Sequence, residues 1–265
     1  MFCGYNRYGL TNSLWSKISL LPIPIRSMFA KTITSIPTKR WDHFAPFIPG
    51  SKGFSHIGDK LHKGADALKS KNIDELYLNL VSHFNSPDSI VLGANEPLTK
   101  LTGNSLNFSS IKNIDKMMAL DLISYLPDDI LVKVDRAAMG VSLETRVPFL
   151  DHNIVEFAWT LPLSLKLREE KMKWPLRQLL YRYIPEKIVE RPKMGFGVPI
   201  DDWLRGPLKE WAEELLDESV LRNDGYFNVE LIRTKWEEHI KGKRNWQNHI
   251  WDVLMFQSWL KVNHG

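Results

Sequence analysis

Tyr125-Leu-Pro-Asp-Asp-Ile-Leu-Val-Lys-Val-Asp-Arg-Ala-Ala-Met139 decides the fold of this chain. Pro127 followed by Asp128 and Asp129 marks a helix start, and Ile130, Leu131, Val134, Ala138 and Val141 recur at helical spacing, which predicts one buried stripe. Lys133, Arg136 and Gly140 fall on a second face with Asp135 beside it, so a carboxylate and two cations project near one another. Two readings follow. One is a surface helix in which Asp129 and Lys133 pair four residues apart. The other is a wall that orients a charged substrate.

Downstream, Glu144, Arg146, Asp151 and His152 bracket the apolar turn Val147-Pro-Phe-Leu150. Asp151 is placed to cap the next helix. Arg146 entering such an apolar turn predicts a buried or half-buried ion pair with Glu144. Helical periodicity also marks 74–84, 115–126, 128–141, 151–161, 175–183, 201–216, 228–240 and 246–261. Alternating strands are scarce, and 89–92 is the best candidate, though a poor one. The fold class expected is therefore predominantly α.

Farther along, Glu190-Arg-Pro-Lys-Met-Gly-Phe-Gly-Val-Pro199 stiffens a loop with two prolines while Gly195 and Gly197 let its backbone approach a ligand. Lys193 at its tip can act as a point charge on phosphate oxygens as negative charge grows during phosphoryl or adenylyl transfer. An ordinary solvated lysine is the competing reading, since the loop is not a Walker sequence.

Upstream, Met1 to Trp41 holds six cations and no acidic residue, but Pro22 and Pro24 split its apolar run, which falls far short of the ~20 residues of a membrane span. Its aromatic residues suit a folded segment better than a cleaved leader. The proline- and glycine-rich residues 36–58 read as a surface loop. The 265 residues carry 35 Lys and Arg against 31 Asp and Glu, a mild excess that suits anionic ligands without demanding nucleic acid. The single cysteine, Cys3, needs no oxidising compartment and reads as a small packing residue in a cytoplasmic protein. Eight histidines without close ligand spacing predict no protein-bound zinc or other metal site in this chain.

Taken together, Cys3-Gly-Tyr-Asn-Arg-Tyr8, the 125–136 stretch, Glu144-Thr-Arg-Val-Pro-Phe-Leu-Asp151 and Arg191-Pro-Lys-Met-Gly-Phe-Gly197 resemble the synthetase domain of glutamine-hydrolysing asparagine synthetases, in the right order over nearly the whole chain. The resemblance implies ATP and Mg²⁺ as cofactors, with aspartate and ammonia or glutamine as substrates. Amide formation would pass through β-aspartyl-AMP. Lys193 matches the loop lysine that steadies charge on the α-phosphate, and Gly195 stands with it on the cofactor side. Asp135 and Arg136 match the helix motif lining the aspartate side.

That family's Ser-Gly-Gly-x-Asp-Ser and Gly-Glu-Gly-x-Asp-Glu motifs and its glutaminase domain do not occur in this sequence. The expectation is thus the helical portion of an α/β ATP-pyrophosphatase (adenine nucleotide alpha hydrolase-like) domain whose parallel sheet is largely missing. It would be a single domain over 1–265, truncated at its N-terminal side, with a basic insertion-like segment and loop at 1–58 and a helical core at 59–265. As an isolated chain it is expected to be inactive and to expose the apolar faces that strands would cover, unless an upstream polypeptide carries the glutaminase and pyrophosphate-binding parts. Nucleic acid and membrane are not expected partners. An inactive remnant or helical partner subunit is the alternative from another class. Another is an amidotransferase acting on a different carboxylate in a polysaccharide or natural-product pathway.

Overall fold

The computed structural model describes residues 1–44, 57–103, 108, 111–169, 171–190 and 197–264. Helices dominate them. The N-terminal part holds α1 (Asn6–Ile18), α2 (Ile23–Ser35), α3 (Thr38–Phe44), α4 (Ile57–Leu68) and α5 (Ile73–Val81). The middle holds α6 (Asn113–Ile123), α7 (Val132–Met139), α8 (His152–Thr160), α9 (Leu163–Lys166), α10 (Trp174–Leu180) and α11 (Glu186–Val189). Last come α12 (Ile200–Arg205), α13 (Lys209–Leu215), α14 (Glu218–Asp224), α15 (Val229–Ile240) and α16 (Gln247–His264). A two-stranded antiparallel hairpin, β1 (Leu167–Arg168) and β2 (Lys171–Met172), pairs Leu167 with Met172 and Arg168 with Lys171. The expectation of a predominantly helical chain holds.

Two compact units emerge, neither continuous in sequence: Met1–Lys17 with Leu98–Gly195, and Ile18–Pro97 with Phe196–Gly265. In the first, Cys3, Tyr8, Met117, Met118, Leu120 and Ala158 are buried. In the second, Leu204, Leu216, Ile232, Trp236, Ile250 and Leu254 form the centre of the core, drawn from α12, α15, α16 and the end of α13.

Several local starts follow from side-chain chemistry. Asn72 caps α5 by accepting from the Glu75 amide at 2.8 Å, Asn228 caps α15 through the Leu231 amide at 3.1 Å, and Asp217 caps α14. Gly225 ends α14 at φ +71°, a left-handed conformation that costs glycine nothing.

Three expectations need correction. Residues 36–58 are not one loop: 38–44 and 57–58 are helical, while 45–56 lie outside the described residues. Gly58 is there for proximity, because a Cβ on it would collide with the Thr38 backbone where α3 meets α4. The 201–216 helix divides at Gly206-Pro207, where proline supplies no amide. Finally, 89–92 is no regular strand. A 3₁₀ turn (Pro87–Ser89) leads into an isolated antiparallel bridge, Val91 to Phe227, flanked by Leu92 N–H to Tyr226 C=O and Asn228 N–H to Ile90 C=O, both 2.8 Å.

Candidate functional site

The 125–139 stretch continues from α6. That helix breaks at Ser124 (φ −126°, ψ −78°), whose hydroxyl donates back to Leu120 C=O at 2.6 Å. Pro127 can neither donate nor tolerate the carbonyl four residues behind it, and Leu126–Leu131 widens into a π-helical turn before α7 resumes the α-helical pattern. Such widened turns recur at functional sites.

Asp135 and Arg136 are both exposed on α7. They line an open depression of ≈ 400 Å³ together with Pro127, Leu131, Thr145 and Val147. The structure thus brings together two of the residues singled out from the sequence. A carboxylate that accepts, a guanidinium that donates in a plane, and apolar walls between them can bind a small molecule carrying both an ammonium and a carboxylate. Lys133 pairs with Asp129 at 3.1 Å, as i,i+4 spacing predicts, and so is committed to its own helix.

The apolar stripe is not buried as expected. Only Ala138 is; Val134 is 40% exposed and Val141 76%. Met139, Leu143 and Phe149 also face outward. Glu144 and Arg146 do pair, at 2.6 Å, but on the surface, with side chains 71% and 80% exposed. The turn ahead of Pro148 runs outside the packed interior, so the arginine meets water and needs no buried partner. Asp151 caps α8, accepting from the Asn153 amide at 2.9 Å.

Lys193 and Gly195 lie outside the described residues, within 191–196. Glu190, at the end of the described segment before them, accepts from the Arg177 guanidinium and from the Tyr181 hydroxyl at 2.5 Å. Arg177 Nε also donates to Met172 C=O at 2.8 Å. Spacing does not reveal this tie, because Glu190 lies nine and thirteen residues from its donors, past the end of a separate short helix.

Two further groupings escape the sequence reading. Arg7 lies over the rings of Tyr5 and Tyr125, its guanidinium carbon 4.5 and 4.9 Å from their centroids, and the two rings pack edge to face on each other. Its Nη2 donates to Asp121 at 2.5 Å, and Tyr8 donates to the same buried carboxylate at 2.5 Å. The Gly-Tyr-Asn-Arg-Tyr8 motif was the available signal, without a partner to point to. Lys166, 1% exposed, lies 3.9 Å from Asp115 and 4.9 Å from the centre of the Trp159 ring. Burial pushes its pKa down and the thiol of Cys3 up. Among the described residues no three His, Cys, Asp or Glu side chains converge as a metal would require.

The asparagine synthase family model matches residues 1–261. The chain belongs to the asparagine synthase family. Among its relatives, the glutamine-hydrolyzing asparagine synthetase 1 of Bacillus subtilis (strain 168) is 36% identical over 155 residues, 58% of this chain and 24% of the relative. A putative glutamine-hydrolyzing asparagine synthetase of Mycobacterium tuberculosis (strain ATCC 25618 / H37Rv) is 36% identical over 147 residues, 55% of this chain and 22% of the relative. The human glutamine-hydrolyzing asparagine synthetase is 27% identical over 188 residues, 62% of this chain and 32% of the relative. The chain thus spans about a quarter to a third of the length of these family members. No solved structure matches it. Among the described residues, no helix is long and apolar enough to cross a membrane.

Proposed function

We propose that this chain contributes to an ATP-dependent, amide-forming ligase of the asparagine synthetase type. The family match over residues 1–261 carries that reading. In the reaction, a carboxylate oxygen of aspartate attacks the α-phosphorus of ATP and pyrophosphate leaves. Ammonia, free or released from glutamine, then attacks the β-carbonyl of β-aspartyl-AMP, loses a proton, and AMP leaves.

Asp135 and Arg136 serve as the substrate wall, Asp135 accepting from the α-ammonium and Arg136 donating to the carboxylate that does not react. Their shared place on the rim of one depression supports those roles. Lys193 neutralises charge growing on the α-phosphate, and Gly195 gives the phosphates close access to backbone. Mg²⁺ in such sites is held by one or two carboxylates together with substrate phosphates, and among the described residues no three His, Cys, Asp or Glu side chains gather to hold it. No step is therefore routed through the ion.

The fold assignment that goes with this function is the helical part of an α/β ATP-pyrophosphatase domain, acting with a polypeptide that supplies the sheet, the pyrophosphate loop and the glutaminase. Incubating the 265-residue chain with aspartate, ATP and ammonia, with and without a polypeptide carrying the Ser-Gly-Gly-x-Asp-Ser motif, tests it. Asparagine and AMP should appear only in the mixture. Turnover by the chain alone would refute the dependence, and no turnover in either would favour an inactive helical partner.

A further inference from the structure

Arg7 touches both sides of the break that separates α6 from α7. Asp121, in the last turn of α6, accepts from its Nη2 at 2.5 Å, and the ring of Tyr125, the first residue past Ser124, lies 4.9 Å beneath its guanidinium carbon. Tyr5, packed edge to face on Tyr125 with ring centroids 5.9 Å apart, lies against the same guanidinium. Lys100 also reaches the end of α6, donating to Ile123 C=O at 2.9 Å, on the α6 side of the break at Ser124. The π-helical turn that follows (Leu126–Leu131) breaks the regular α-helical ladder between α6 and α7, so the direction in which α7 leaves is not fixed by one continuous helix. A side chain that holds the last turn before it and the first residue after it sets that direction instead.

We propose that Arg7 is a positioning residue for Asp135 and Arg136. By bridging Asp121 and Tyr125, it fixes the angle at which α7 leaves α6, and with it the wall on which those two side chains stand. The inference rests on the substrate-wall reading of Asp135 and Arg136. A guanidinium suits the role because it is planar, always charged, and able to stack and donate at once; an ammonium offers charge without a plane.

Hydrogen exchange of the full chain, read by mass spectrometry, tests the clamp. Arg7→Gln should speed exchange of amides 126–139 at least tenfold while amides 113–121 stay within twofold of the parent, and Arg7→Lys should not restore the parent pattern. Tyr8→Phe removes a donor to Asp121 without touching Tyr125, so it should leave 126–139 within twofold even if the melting temperature falls. If Arg7→Gln does not fold, Tyr125→Leu decides, since it frees the far side of the break with the Arg7–Asp121 pair intact. Even acceleration throughout the unit, or none in 126–139, overturns the proposal.

Titration of L-aspartate by NMR separates this outcome from failure of the substrate reading. Asp135→Asn and Arg7→Gln should each weaken binding at least tenfold. Loosened 126–139 amides in Arg7→Gln with parent-like binding by Asp135→Asn would uphold the clamp and sink the substrate wall. Weakened binding by Asp135→Asn alone, with unchanged exchange in Arg7→Gln, would sink the clamp.

Discussion

Lys166 and Asp115 form an asymmetric pair: the lysine is 1% exposed and the carboxylate 22%. Removing the lysine leaves a carboxylate that water still reaches, whereas removing the carboxylate strands a buried ammonium. Lys166→Met is therefore expected to be neutral or stabilising by about 1 kcal/mol, and Asp115→Asn to cost about 3 kcal/mol. Urea unfolding at pH 7 measures both, and equal losses would contradict the account. At Lys193 the expected effect is on rate. In the reconstituted enzyme supplied with ammonia, Lys193→Ala should lower kcat by roughly 10²–10³ with ATP affinity nearly unchanged, because the contact is stronger in the transition state. A loss below about threefold at saturating ATP would identify an ordinary solvated lysine. Some residues were legible from sequence alone. Asp151 sits before a periodic run and caps it; Asp129 and Lys133 are four apart and pair. Arg146 was not, since its exposure depends on where the turn runs, which no local pattern encodes.

At the scale of elements, apolar residues three and four apart located α5, α6, α8, α15 and α16, because packing one face of a helix imposes that period. The N-terminal helices hid from the same test. α1 carries Gly9, Thr11, Asn12 and Ser13 in its middle, and α2 opens on prolines that suit a first turn as readily as a loop. Gly58 looks like a breaker in sequence, yet it is the contact that lets α4 approach α3. Gly58→Ala should cost about 1–3 kcal/mol through overpacking against immovable backbone, whereas Gly64→Ala, with open space around it, should be neutral or mildly stabilising. Thermal melts of the two variants would decide this, and a pair of equal shifts would contradict it. The break between α6 and α7 was half visible: Pro127 announced a start, but the widened turn arises from a clash within the preceding helix.

For the whole molecule, two histidines of the second unit shape the acid limb of stability from about pH 6.5 downward. Burial holds His239 down to about 4 and His249 to about 3. The unfolded chain binds a proton on each near pH 6.5 and the folded chain refuses until well below it, so stability is full above about 6.5 and falls as pH drops toward those values. His239 alone should account for about 3 kcal/mol of that loss. His239→Gln should flatten the limb between pH 6.5 and 4 in urea titrations, and an unaltered slope would exclude it. The apolar side chains that α7 and its neighbours turn outward predict dye binding and self-association of the isolated chain. A monomer that binds no dye would contradict that. Each unit's discontinuity has a consequence for synthesis. Residues 18–97 leave the ribosome well before residues 196–265, the other half of their unit, exist. At ~5–20 residues per second they wait several seconds with only Ile90 of the unit's buried core cluster made, while the first unit is completed in the interval. A stop codon soon after the first unit would leave residues 18–97 without the buried centre of their own unit, which lies in residues 204–254.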